Sequence, residues 1–330
     1  MQVQDSVATH VNFAGMADLR EGLDPLWGLL LTSWNRSMEA ARRAPKTRKL
    51  YLDAATALIN YLADSEDPPS GVEEITKAQI EEFLIWFGTV PTPRRPEGRG
   101  DAYVNQTFRA IQQWFKWLLD EEEITHSPLE RMSPPKVDEK PVPVLHEDEI
   151  KAVLAACAGK TFTDRRDNAI IRCLLDSGGR RTEIARLRVD DVDLTRKVLN
   201  VLGKGHRPRP APIGNNTALA LGRYMRLRTR DKHASRPELW LADRSRGPLT
   251  SDGLARMVGR RGEQAGIKGL HPHQFRHTLA NDWQFAGGSE GDLMRIMGWS
   301  SRQMVDRYAK IAQEKRAQQA HERLALGDRF

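Results

Sequence analysis

Hydrophobic positions recur at helical spacing through much of the first 132 residues. Leu50, Ala54, Leu58, Tyr61 and Leu62 share one face, and Thr47 reads as the cap that opens their helix. A second stripe, Ile80, Phe83, Leu84 and Phe87, follows Thr76. A third runs through Val104, Phe108, Ile111, Phe115, Leu118 and Leu119, with Arg109, Gln112, Gln113 and Lys116 turned away from it. Helices of this length need a buried face to be stable, so each stripe predicts core. The segment Pro91–Gly100, PTPRRPEGRG, predicts a loop that pushes Arg94, Arg95 and Arg99 into solvent. Together these signals predict a domain of four or five helices without strands.

The pattern lapses at Ser133–Leu145, SPPKVDEKPVPVL, where four prolines among few apolar residues predict an extended linker. Beyond it, Leu145–Ala158 reads as a helix with an acidic start at Glu147, Asp148 and Glu149, which suits the helix dipole. Asp164–Asp176 reads as another, with Ile170, Ile171, Leu174 and Leu175 inward. The period then changes. Val198, Leu199, Val201 and Leu202 predict a short strand, Gly203-Lys204-Gly205 a turn, and Pro208, Pro210 and Pro212 permit only an edge strand on the return. Helical patterns resume to the C-terminus. The expected fold class is mainly α, with a helical N-terminal domain and a C-terminal mixed α/β domain, mostly helical with a small hairpin. The expected boundaries are an N-terminal extension at 1–29, a helical domain at 30–132, a linker at 133–144 and a second domain at 145–330.

Charge sharpens this division. Residues 1–140 hold 16 basic and 22 acidic side chains, a net of −6, while residues 141–330 hold 35 and 22, a net of +13. A half this basic points to a polyanion, nucleic acid before an anionic membrane. Two cysteines, Cys157 and Cys173, exclude a disulfide framework and suit a reducing compartment. The run Leu29–Leu31 beside Trp27 is too short to span a bilayer, and the acidic start of the chain does not read as a signal peptide. A soluble, intracellular protein is expected.

Four stretches of the basic half carry candidate chemistry. In Ser177-Gly178-Gly179-Arg180-Arg181-Thr182-Glu183-Ile184, two glycines end one helix and place Arg180 at the entrance of the next, where backbone N–H groups favour an anion. Lys204 sits at the hairpin tip between glycines. In His271-Pro272-His273-Gln274-Phe275-Arg276-His277, His273 and Arg276 are three apart and share a helix face. Met297-Gly298-Trp299-Ser300-Ser301 is followed by Tyr308. Lys204 does not belong to a P-loop, since Val198 replaces the first glycine and Gly205 the Ser or Thr. His273 and His277 are four apart, yet Gln274 stands where a zincin needs Glu.

Taken in order, these stretches resemble the tyrosine recombinases, the family of phage integrases and the Xer and Cre recombinases. The resemblance covers the whole basic half, and the helical first half with its linker is similar to the family's core-binding domain. It implies catalytic roles for Arg180, Lys204, His273, Arg276, Trp299 and Tyr308, with Glu183 in support. No cofactor and no metal are implied. The residue types suit the chemistry. Two arginines can donate bidentate hydrogen bonds to a phosphorane's oxygens, a tyrosine can attack phosphorus, a histidine can take its proton and a lysine can protonate the leaving oxygen. Trp299 offers only an indole N–H, where most integrases carry His. Gly179 stands where the family usually has Leu, a departure expected to loosen the turn around Arg180.

The resemblance further implies double-stranded DNA with specific sites as the partner, a monomer that assembles as a tetramer on DNA, a Holliday-junction pathway, an accessory DNA-bending or directionality factor, no membrane partner and a cytoplasmic, nucleoid-associated location. Arg94, Arg95, Arg109, Lys116 and His277 are further candidates for DNA contact. The tail Ala309–Leu326, with Ile311, Ala317, Ala320 and Leu324 on one face, is expected to dock on a neighbouring protomer. Two other readings stay open on the sequence: a catalytically inactive DNA-binding protein on the same fold, and a type IB topoisomerase or telomere resolvase.

Overall fold

The computed structural model describes residues 19–20, 23–93, 95–137, 143–203, 208–243, 247–305, 317–318 and 321–329. Two compact units divide the chain, 1–139 and 140–330. Among the described residues, no helix is long and apolar enough to cross a membrane.

The first unit is helical. Helix α1 (Pro25–Ala40) begins before residue 30, with Asp24 as N-cap accepting from the Leu26 N–H at 2.8 Å. It buries Trp27, Leu30, Leu31, Trp34 and Met38, so residues read as an extension belong to the core. Helix α2 (Pro45–Ala63) starts two residues ahead of Thr47, which is therefore not its cap: Ala44 is the N-cap, and Pro45 opens the helix because its missing N–H has no helical acceptor there. Helix α3 (Lys77–Thr89) carries the expected start, with Thr76 Oγ1 accepting from the Gln79 N–H and Gln79 Oε1 accepting from the Thr76 N–H. Helix α4 (Asp101–Asp120) buries nine residues from Val104 to Leu118, Trp114 and Trp117 among them. Leu119, expected inside, is 36% exposed in its last turn. Trp114 lies 6.4 Å from both Trp27 and Trp34 between ring centroids, which closes α1 onto α4.

The second unit opens with α5 (Glu147–Ala155), shorter than the sequence predicts. Leu145 is buried ahead of it, its N–H bonded to Thr278 Oγ1 at 2.9 Å. Helix α6 (Phe162–Ser177) is the central element, packed against α8 (Asn215–Arg228) and α10 (Pro272–Phe285). Between α6 and α8 come the short α7 (Arg181–Ala185) and a three-stranded antiparallel sheet in the order β1 (Val192–Asp193), β2 (Val198–Leu202), β3 (Pro208–Pro212). Backbone donors alternate sides along a strand. Prolines at 208, 210 and 212 thus leave Arg209 and Ala211 to face β2, where they pair with Val201 and Leu199, and put the missing donors on the open edge. Helices α9 (Ser251–Gln264) and α11 (Glu290–Met297) complete the unit. Leu293, Met297, Trp299 and Val305 form a small cluster of their own with Ala280.

Candidate active site

The turn between α6 and α7 is built by Ser177, Gly178 and Gly179. Gly178 ends α6 in the left-handed region (φ 55°), and a Cβ there would collide with the Met297 sulfur. Ser177 Oγ donates to the Cys173 carbonyl at 2.5 Å and accepts from the Gly179 N–H at 3.1 Å. A Cβ on Gly179 would meet the side chain of Ile184, which is fully buried. The departure at 179 therefore does not loosen the turn: Ile184 fills the space, and the serine hydroxyl ties the backbone down.

Arg180 follows as the N-cap of α7. Its backbone N–H and its Nη1 both donate to Glu183, at 2.9 and 2.7 Å. The guanidinium is 39% exposed, while the Glu183 side chain is 5% exposed. Glu183 also accepts from Arg209 Nη2 on β3 at 3.1 Å. Burial opposes ionisation of Glu183. The backbone and side-chain hydrogen bonds from Arg180 and the charge of Arg209 outweigh that burial and hold its carboxyl below the usual glutamate range.

Arg276 lies on the buried side of α10, 2% exposed. Its Nη1 donates to the Gly178 carbonyl and its Nη2 to the Met297 carbonyl, the latter at 2.7 Å. These are the C-terminal ends of α6 and α11, where helical carbonyls lack intrahelical partners and the dipole is negative. One guanidinium thus joins the Arg180 turn, α10 and the segment leading to Trp299. Trp299 is 7% exposed, with the Arg276 guanidinium carbon 5.3 Å from its ring centroid.

His273 is exposed one turn before Arg276, as their spacing predicts. His277 is 7% exposed and presents its ring to His273 at 4.2 Å between centroids, in an edge-on arrangement. A side chain so enclosed fits support for His273 better than contact with a DNA backbone. No cluster of three or more His, Cys, Asp or Glu suited to a metal is found among the described residues. In the first unit, Arg95, Arg109 and Lys116 are exposed, with Arg109 Nε donating to Asn105 at 3.0 Å. Arg94, Lys204 and Tyr308 lie outside the described residues, as does most of the C-terminal tail; Leu324 within it is 49% exposed. The structure adds Arg209 to this site. No local pattern marks it beyond its place in an edge strand.

Comparison with known proteins decides the family. The sequence model of the phage integrase family matches residues 143–315, more than half of the chain. The chain belongs to the phage integrase family. Tyrosine recombinase XerC 2 of Ralstonia nicotianae is 30% identical over 315 residues, which cover 89% of this chain and 86% of that protein. Tyrosine recombinase XerC of Corynebacterium efficiens is 27% identical over 267 residues, covering 80% and 84%. Among solved structures, the Tn1549 transposon integrase in complex with transposon right end DNA superposes with a TM-score of 0.69, at 19% identity, over 90% of this chain and 99% of that one. The XerH site-specific recombinase bound to its difH substrate gives 0.69 at 15% identity, over 88% and 83%. At these identities the structures show a shared fold, mainly helical with a small sheet. The sequence relatives make the chain a tyrosine recombinase, an enzyme of site-specific recombination.

Proposed function

We propose that this recombinase cuts and rejoins duplex DNA at specific sites through a 3′-phosphotyrosine on Tyr308 and a Holliday junction, to integrate, excise or resolve a mobile element or replicon. The observation that carries the reading is the double anchorage of Arg276, which gathers the Arg180 turn, the His273 helix and Trp299 around one guanidinium. In this mechanism the Tyr308 oxygen attacks phosphorus and the bond to the 5′-oxygen breaks. His273 takes the tyrosine proton and Lys204 delivers a proton to the departing oxygen. Arg180 and Arg276 donate to the non-bridging oxygens of the phosphorane, where the loss of one donor costs about 100- to 1000-fold in rate. The Trp299 indole N–H supports the same phosphate and takes no part in proton transfer. Glu183 holds Arg180 in place. The phosphotyrosine conserves the bond energy, and attack by a free 5′-hydroxyl reverses the step. Four protomers on two DNA sites, with the C-terminal tail bridging neighbours, complete the reading, and the protein works in the cytoplasm on nucleoid or replicon DNA.

Covalent trapping tests it. The protein is incubated in EDTA with nicked fragments of its native replicon and host chromosome, denatured in SDS and assayed for protein-linked DNA beside Tyr308→Phe. An adduct in the native protein alone is expected. Salt-sensitive DNA binding without an adduct would favour an inactive binding protein, and an adduct that survives in Tyr308→Phe would overturn the assignment of the nucleophile.

A further inference from the structure

Arg209 is the least explained charged group in the second unit. It sits on β3, its side chain only 11% exposed, although its neighbours Pro208 and Pro210 are exposed. Burial of a guanidinium is costly unless its donors are met. Two are met across the fold. Nη2 donates to Glu183 Oε2 at 3.1 Å, and Nη1 donates to the Ile296 carbonyl in the last turn of α11. Nε is buried and has no hydrogen-bond partner. Gly298 approaches it instead: a Cβ at that position would lie 3.0 Å from Arg209 Cδ and Nε. Gly298 is also left-handed, at φ 61°. The glycine before Trp299 therefore answers both the turn and the arginine beneath it.

Three parts of the candidate site meet on this side chain. Glu183 is the residue that holds Arg180. Ile296 and Gly298 flank Met297, whose carbonyl holds Arg276, and lead into Trp299. The strand itself is one arm of the hairpin whose connecting residues include Lys204. We propose that Arg209 is a positioning residue, a brace that fixes the Arg180–Glu183 pair, the Trp299 segment and the root of the lysine hairpin relative to one another. It acts through these groups and does not itself contact the reacting phosphate. The inference rests on the proposed strand-cleavage reading for its rate effect. Its structural half stands without that reading.

A lysine in its place is long enough for one partner but cannot fork between a carboxylate and a carbonyl on different elements. The test compares full-length wild type, Arg209→Lys and Arg209→Ala in two measurements. In hydrogen exchange without DNA, Arg209→Ala should speed exchange in both 179–186 and 293–300, while α8 and α9 keep wild-type rates. In trapping on the nicked fragments, Arg209→Ala should slow adduct formation on the order of 10- to 100-fold, the scale of a small misplacement of reacting groups. DNA half-saturation should stay within about twofold of wild type, and Arg209→Lys should fall between the two. Wild-type adduct rates in Arg209→Ala would overturn the proposal. So would equal losses of binding and cleavage with faster exchange throughout the unit, the signature of a plain packing residue. If wild type itself gave no adduct, the cleavage reading would fail. The exchange data would then decide the brace alone, and an unchanged 293–300 segment would overturn it.

Discussion

Glu183 accepts from a backbone N–H and two guanidinium groups while nearly enclosed. Because its folded pKa is depressed, the native state binds fewer protons than the unfolded chain near the ordinary glutamate pKa. Its contribution is complete above that pKa and is lost as pH falls through the depressed value. Glu183→Gln replaces one acceptor oxygen by a donor that faces an arginine. At neutral pH it should cost about 1.5–3 kcal/mol, the range for a hydrogen bond to a charged group. Urea midpoints of wild type and variant should converge as pH drops below the ordinary glutamate range. A constant gap would mean that the Glu183 carboxyl has the same pKa folded and unfolded. Gly298→Ala is a second case. The left-handed conformation alone costs about 1–2 kcal/mol for an L side chain. The added carbon must also displace Arg209, so the midpoint loss should exceed that range, whereas a smaller one would show that α11 ends elsewhere.

At the scale of elements, α6 and α9 are joined by a buried ionic knot. Asp167 is fully buried and accepts from Arg166 Nε and Nη2 at 2.9 and 2.7 Å and from Arg261 Nε at 2.9 Å. Arg166 continues to the Leu241 carbonyl, and Arg261 to Asp164 and the Ala156 carbonyl. Asp167→Ala would take the shared carboxylate from two buried guanidiniums, at an expected cost of about 3–5 kcal/mol. Thiol labelling can read this out, because both cysteines lie in the second unit. Burial pushes the Cys157 thiol up to about 12 and raises that of Cys173, so neither should react until the unit opens. Faster labelling in Asp167→Ala is expected, and an unchanged rate would show that the knot does not hold α6 to α9. Such a knot is invisible to periodicity, which reports only which face of a helix is apolar. The stripes of α3 and α4 and the Thr76 start were legible because they depend on residues three and four apart. Helix α1 was not, since its run of leucines and tryptophans reads equally as a short apolar patch. The two-residue β1 has too little sequence to show a period. Arg180, Glu183, His273 and Arg276 were legible for the same local reason, each pair being three residues apart. The pairing of Arg209 with Ile296 and Gly298 spans almost ninety positions and exists only in the fold.

At the scale of the whole molecule, the charge asymmetry sets an expectation for DNA binding, but net charge overstates the surface that a phosphate can reach. Arg166, Arg228 and Arg261 are all buried in the basic unit. Arg228 spends its donors on the carbonyls of Ala234, Arg236, Glu238 and Leu239, where it shapes the loop after α8. Arg209 is largely enclosed as well. These cations add to the long-range field, yet they cannot replace the counterions condensed on a duplex. The number of phosphates neutralised should therefore fall short of the +13 of residues 141–330. With roughly 6–10 contacts, the logarithm of the binding constant should fall against the logarithm of salt with a slope of about −5 to −9. Fluorescence anisotropy of a labelled non-specific duplex, titrated at several salt concentrations, measures that slope directly. A much steeper value would mean that the first unit, despite its net negative charge, supplies many contacts of its own. A flat one would mean that the positive charge of the second unit serves its internal arginine bonds and does not bind DNA.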